Sequence, residues 1–357
     1  MKKLDWYIVK KFWATFFFAI MILAIIACVI DLSEKMEDFV KNKAPIMAIL
    51  NYFKNFIPHI SALLFPLFIF IATIFFTSKL AYKSEVIAIL ASGVSFQRFL
   101  RPYIIGAVSL SLLSLWANHF MVPNANKQRL AFEGTYIQTA SNNTDRNVHL
   151  RLSKDLYVYV MNYDFRLNTG YHFTAEIVDS TKLKYKIYAD HINYDSIKKE
   201  YKLYEVRIRY NDADMERFRI IPDTIMKFPF KPRDLEEDEA VKDALTTPQL
   251  NKLIAREKLR GRETLNFYYI EKHRRTAQPF AGFILTMIGV CIASRKIRGG
   301  SGLHLAIGIC ISALYIMAMQ FTTTFSTKAG LDPLLAVWIP NFLFGTVAFY
   351  LYRRQVR

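Results

Sequence analysis

Cysteine, charge and recognisable catalytic motifs are all scarce in this chain. Its three cysteines, Cys28, Cys291 and Cys310, lie in apolar runs. The polar middle of the sequence therefore has neither a disulfide framework nor a cysteine metal site. No Gly-x-x-x-x-Gly-Lys-Ser/Thr loop occurs, which excludes nucleotide binding through a P-loop, and the His-Glu-x-x-His and His-x-Glu zinc patterns are missing too. The turn Gly299-Gly-Ser-Gly302 lacks the lysine and the preceding strand of a phosphate cradle and reads as a flexible connection. Charged residues make up only 22% of the chain against 53% apolar and 15% aromatic, a balance that argues against an all-soluble protein. A net charge of +17 would suit nucleic acid. The basic residues instead gather at the ends of apolar runs, where a membrane explains them, so no nucleic-acid partner is expected.

What is present is a set of six apolar stretches. Residues 12–30 carry no charge and are long enough to cross a hydrocarbon core of about 30 Å. Lys2, Lys3, Lys10 and Lys11 precede them, the charge order of a signal peptide. The run is longer than a usual leader core, however, and ends in Val29-Ile-Asp-Leu without a small-x-small cleavage pattern, so a retained first helix is expected. Residues 31–54 mix charges with Phe39, Ile46, Tyr52 and Phe53 and suggest an interfacial helix pair broken at Pro45. The second span is expected at residues 56–76, bent by Pro58 and Pro66. The third begins at Pro102, covers residues 103–122 and leaves through Pro123. The last three fall at residues 279–294, 303–325 and 334–352.

Between the third and fourth spans the periodicity changes. Residues near 148–152, 156–161, 171–178, 183–189, 201–210 and 215–221 alternate apolar with polar side chains and are rich in β-branched and aromatic types. Turn signals such as Asn168-Thr-Gly170 and Asn211-Asp212 separate them. Six short strands point to a sandwich or jelly roll, with Lys184, Lys186, Arg207 and Arg209 on its outer face. Residues 246–258 read as a short helix after an acidic stretch. The expected architecture is a polytopic α-helical membrane protein with six transmembrane helices and an inserted periplasmic all-β domain of jelly-roll type. It divides into residues 1–123, 124–265 and 266–357.

Orientation follows from Lys and Arg near the span ends. Lys2, Lys3, Lys10, Lys11, Lys79, Lys83, Arg98, Arg101, Arg295, Lys296, Arg298, Arg353, Arg354 and Arg357 place both termini in the cytoplasm and the β domain outside. Lys35, Lys41, Lys43, Lys54, Lys272, Arg274 and Arg275 count the other way.

Three constellations are candidates for function. The stretch 84–93 has Ser84 to cap a helix, Glu85 in a first turn that favours negative charge, Ile87 and Leu90 among its apolar residues, and Gly93 to end it. Ser95 is placed to cap a second helix through Arg98. This segment is either a surface helix at the membrane face or a knob for a groove on a cytosolic partner, with Glu85 or Arg98 pairing across the contact. Lys35, Lys41 and Lys43 form either a solvated face or a set of cations for anionic groups at the outer leaflet. Phe65, Phe68, Met317 and Phe321 are either core and lipid-facing residues or the walls of a lateral cavity for acyl chains.

These residues resemble the LptF/LptG family of lipopolysaccharide export permeases. The resemblance runs over essentially the whole chain, through the 84–98 segment, Trp116 and Val122-Pro123 at the exit of the third span, the long extracytoplasmic insert, Pro279, the short basic turn after it, and Leu331-Asp-Pro333 with Ile339-Pro340 in the last hairpin. It implies a non-catalytic, six-span inner-membrane subunit with a periplasmic jelly roll, no cofactor of its own, and ATP and Mg on a partner. The implied partners are a dimeric cytosolic ABC ATPase of the LptB kind, a second six-span permease that is its LptF/LptG paralogue, an LptC-like single-span protein, and lipopolysaccharide. By motif, residues 84–93 become the coupling helix and Lys35, Lys41 and Lys43 the lipid-phosphate contacts. A membrane-anchored scaffold that recruits periplasmic proteins is the rival reading.

Overall fold

The structure is a computed structural model that describes residues 3–137, 144–153, 155–164, 167–179, 182–212, 215–232, 241–260, 265–295 and 301–356. The chain forms two compact units, one of residues 1–137, 240–250 and 266–357 and one of residues 138–239 and 251–265.

The first unit is helical. Helix α1 (Lys3–Lys41) runs unbroken for 39 residues, about 58 Å at helical rise, so it outruns a bilayer core. After a turn α2 (Ile46–Leu63) and α3 (Phe65–Tyr82) follow, then the seven-residue α4 (Glu85–Ala91) and α5 (Phe96–Trp116). A π-helical segment (Ala117–Met121) joins α5 to α6 (Val122–Tyr136). Beyond the strands lie α7 (Val241–Ala244), α8 (Thr247–Arg260), whose residues from 251 on belong to the second unit, α9 (Leu265–Ala293), α10 (Ser301–Ala329) and α11 (Pro333–Val356). Among the described residues, six helical stretches are long and apolar enough to cross a membrane: α1, α3, the continuous run Phe96–Tyr136, α9, Gly302–Ala329 in α10, and α11. That matches the expected number.

The boundaries differ from expectation for one reason. Residues 56–76 are not a single helix: the chain breaks at Leu64, just before Pro66. Pro102, Pro123 and Pro279, taken as starts or exits, lie inside longer helices. A proline removes one N–H and frees the carbonyl four residues back. In hydrocarbon that carbonyl needs a donor, and neighbouring helices supply one. Pro66 frees the Ala62 carbonyl, and Gln278 of α9 donates to it at 2.6 Å and to the Leu63 carbonyl at 3.1 Å. Ser111 of α5 donates to the Pro279 carbonyl (2.8 Å) and Asn341 of α11 to the Ala277 carbonyl (2.9 Å).

Helix α3 is apolar on all sides, and most of its residues are buried, including Phe68, Ile69, Phe70, Ala72 and Ile74. Its neighbours approach through glycine. A Cβ added at Gly282 of α9 would sit 2.6 Å from the Phe65 ring, and one at Gly308 of α10 would sit 2.5 Å from Ile74. Small residues at such contacts let helices close on each other when lipid gives no hydrophobic drive between them.

The second unit holds one antiparallel sheet of β1 (Thr144–Arg151), β2 (Leu156–Asp164), β3 (Thr169–Asp179), β4 (Lys182–Asp195), β5 (Glu200–Asp212) and β6 (Met215–Met226). Each strand pairs with its chain neighbours, in the order β1 to β6. The six strands read from the sequence are all present, and the inserted all-β unit takes the form of a sequential meander. One cross-strand row is skipped in every pairing: Asn147, Met161, His172, Asp190, Glu205 and Pro222. His172 and Glu205 there have positive φ, 52° and 53°. Inward residues step by three across this row instead of two, from Val160 to Tyr163, Gly170 to Phe173, Ala189 to Ile192 and Leu203 to Val206. The row is a bulge-like crease that keeps one face apolar on both sides. Phe228 and Phe230 close over that face, with ring centroids 5.1 Å from Phe173 and 4.7 Å from Tyr201 respectively.

Replacing Gln278 with Leu should leave the Ala62 carbonyl without its donor and lower resistance to denaturation by about 1–3 kcal/mol, measured by unfolding in detergent with added denaturant.

Candidate functional site

Helix α4 sits between α3 and α5 in the chain and packs on both. Ser84 holds the N-cap position in a left-handed conformation, φ 63°, without a side-chain cap bond. Gly93, φ 86°, ends the helix where only a residue tolerant of that conformation fits. Val86 is wholly buried in the same core cluster as Phe12, Phe68 and Tyr103, and Ile89 and Leu90 pack on that cluster. The outward side of α4 is Ile87, which is half exposed, with Ala88 and Ala91. Leu90 therefore faces inward and Ile87 outward. Ser95 caps α5 by accepting from the Arg98 N–H, so the second helix expected there is the start of α5 itself. Arg98 faces the chain, and its guanidinium pairs with the buried Asp5 of α1 at 2.7 Å. That leaves Glu85 as the acidic group available to a partner on α4.

Lys35 is also committed internally. Its ammonium lies 2.7 Å from Asp31 and 3.0 Å from Glu133 of α6, and it contacts the Tyr52 hydroxyl. Tyr52 donates to Asp31 at 2.9 Å, and Arg129 pairs with Glu133 at 2.8 Å. Two cations and two carboxylates balance here, inside an aromatic cluster of Phe39, Tyr52, Phe56 and Phe132. Burial first, then the bond to Asp31, holds the Tyr52 phenol far above its ordinary value. Lys41 and Lys43 are both exposed, the latter with φ 50°. Of the three lysines, Lys35 is bound within the protein, whereas Lys41 and Lys43 are open to solvent.

The aromatic and methionine set separates as well. Phe68 is fully buried in the core, whereas Met317 and Phe321 lie two-thirds exposed on α10. Phe65 lines a cavity of about 260 Å³ between α1, α2 and α5. In the second unit the inner face opens into a cavity of about 510 Å³ lined by Leu156, Ile177, Tyr185, Ile187, Ile208 and Met226.

Two features were missed in the sequence. The first is a buried ionic knot at α9. Glu271 pairs with Arg275 (2.9 Å) and Arg274 (2.7 Å), Arg274 also reaches Asp243 (3.7 Å), and Arg275 donates to Thr247 and to the Lys242 carbonyl. Burial, reinforced by the Glu271 charge, pushes the Asp243 carboxyl up to about 6 against the pull of Arg274, Lys242 and Arg275. Arg274 and Arg275, counted against the expected orientation, are thus neutralised within the protein. The second is the π segment, where the Val122 N–H reaches back to the Ala117 carbonyl. Pro123 was the one local signal, since its missing N–H disturbs the helical ladder at this point.

Two outcomes follow. Lys35→Met should take the ammonium away from Asp31, while Glu133 keeps Arg129, and cost about 3 kcal/mol of stability, whereas Lys41→Ala should stay within about 0.5 kcal/mol, both read by denaturant titration. Asp243 binds its proton more tightly in the folded chain. Its stabilisation is therefore complete below about pH 4 and lost as pH rises through about 6, at most roughly 3 kcal/mol. Asp243→Asn should remove that part of the stability–pH curve.

The sequence model of the family described as lipopolysaccharide export system permease LptF/LptG matches residues 6–354. None of the curated proteins compared with the chain matches it.

Proposed function

The chain belongs to the lipopolysaccharide export system permease LptF/LptG family, and on that premise we propose that it is the passive subunit through which a separate ATPase drives export. Membership makes it a transporter component of the inner membrane that exports lipopolysaccharide. Helix α4 carries the proposed coupling. It presents Ile87, Ala88 and Ala91 outward on a short rigid element whose Val86 is rooted in the core shared by α1, α3 and α5. A push on that outward side would travel straight into the spans, because a close-packed core transmits strain. Glu85, in the first turn, would give the contact a charge partner.

The partner at α4 is a dimeric ABC ATPase that holds ATP and Mg. This chain, without a nucleotide loop, holds neither. A second six-span permease would complete the lateral cavity against the uncovered apolar sides of α1 and α10, where Phe18, Met21, Met317 and Phe321 are exposed. An LptC-like single-span protein would join the assembly. Both termini and α4 would lie in the cytoplasm and the sheet in the periplasm. Lys79, Lys83 and Arg101 are exposed around α4, while Arg274 and Arg275, the main contrary votes, are spent in ion pairs. Closure at α4 would squeeze the cavity and lift the lipid toward the apolar inner face of the sheet, whose open cavity suits acyl chains.

In the reconstituted complex, Glu85→Lys and Ile87→Asp should each weaken ATPase docking and cut ATP-dependent lipopolysaccharide release at least tenfold, with membrane insertion unchanged. The purified chain alone should hydrolyse no ATP. Unchanged docking and release in both variants would favour the non-transporting scaffold.

A further inference from the structure

The cavity of about 260 Å³ beside the π segment is a membrane-facing crevice with a polar end. Its walls come from Phe17 and Ile20 of α1, Ile57 of α2, Phe65 of α3 and Leu113 of α5, and no residue of α10 lines it. It therefore lies apart from the α10 surface assigned above to the shared cavity. Pro58 interrupts α2 along one wall and the π segment widens the helix along the other. The volume exceeds that of several waters at about 30 Å³ each, yet so apolar a lining does not hold water. Flanked by spanning helices, such a space fills with hydrocarbon.

Two observations fix its depth and its ligand. Trp116 stands at the rim, just over half exposed, and tryptophan of this kind sits at headgroup level. Asn118, the next residue but one, is only 5% exposed, and its Nδ2 has no hydrogen-bond partner among the described residues. A buried amide donor left unpaired is costly, and Asn118, which lines both this apolar slot and a small polar pocket with Asn126 and Gln278, calls for a carbonyl oxygen reaching in along the slot. At the depth that tryptophan marks, a bilayer offers ester carbonyls attached to acyl chains. The size admits one chain, which suits a two-chain lipid whose other chain stays in the bilayer. We propose that the crevice between α1, α2 and α5 holds one acyl chain of a membrane glycerophospholipid, with its ester carbonyl accepting a hydrogen bond from Asn118 Nδ2.

The full chain would be reconstituted in phosphatidylethanolamine vesicles containing a small share of an analogue with a diazirine on one acyl chain. After illumination, adducts would be mapped by mass spectrometry. Labelling should concentrate on Ile20, Ile57 and Leu113 over Met317 and Phe321 of α10. Ser61→Trp, which fills the crevice, should abolish the preference, and Asn118→Leu should lower crevice labelling about tenfold, equivalent to about 1.4 kcal/mol. The wild-type map needs no variant to fold, and it is decisive alone: equal labelling of the crevice and α10 would overturn the proposal. So would unchanged labelling in Asn118→Leu. Displacement of the label by unlabelled lipopolysaccharide at an equal share would assign the crevice to the exported lipid and overturn it too.

Discussion

Close packing around α3 is the constraint on which the membrane part depends. Gly282 and Gly308 let α9 and α10 approach until no room remains for a methyl group, and Phe68, Ile69 and Ile74 are left with no exposed surface. A core at that density is bistable rather than compliant, so a displacement at its edge moves whole helices instead of being absorbed. Val86 plants α4 in that core, and the Asp5–Arg98 pair ties the start of α5 to α1. Force applied at one short helix therefore reaches three spans at once.

The same helices carry prolines at 58, 102, 279 and 340 inside them and at 66 and 123 in first turns, and each interior one costs a backbone bond that water in the membrane cannot replace. Gln278 repays the Pro66 defect directly. Ser111 and Asn341 hold other carbonyls along α9, and Tyr315 on α10 joins the chain through Asn341 at 3.0 Å. The Gln278 link satisfies a freed carbonyl, and the others fasten α5, α9, α10 and α11 to one another.

The number and class of elements were legible because they rest on local periodicity. Six apolar runs and six alternating segments announce themselves locally, and the number of each is found, although the second apolar run is broken at Leu64. Proline misled the helix boundaries, since its local effect is to stop a helix and only a donor from another span, such as Gln278, lets the fold run on. The sheet crease was invisible for a related reason. One three-residue step in β3 looks like noise, and its meaning appears only when β2, β4 and β5 show the same step in register. The site was half legible. A helix expected at 84–93 stands at Glu85–Ala91, and Arg98 read as a free cation because its partner, Asp5, lies 93 positions away. Lys35 pairs locally with Asp31, but its second carboxylate, Glu133, lies 98 positions away. Charge that is spent across the fold cannot be told from charge that is available by reading along the chain.

The most direct measurement concerns Val86, the root of α4. In the complex with the proposed ATPase, Val86→Ala would open a gap beneath the helix while leaving Glu85 and Ile87 on its outer side. ATP hydrolysis should persist, and lipopolysaccharide released per ATP should fall several-fold, since motion at α4 would be lost in the gap. Release per ATP equal to that of the unaltered chain would contradict the claim that α4 drives the spans through its buried side.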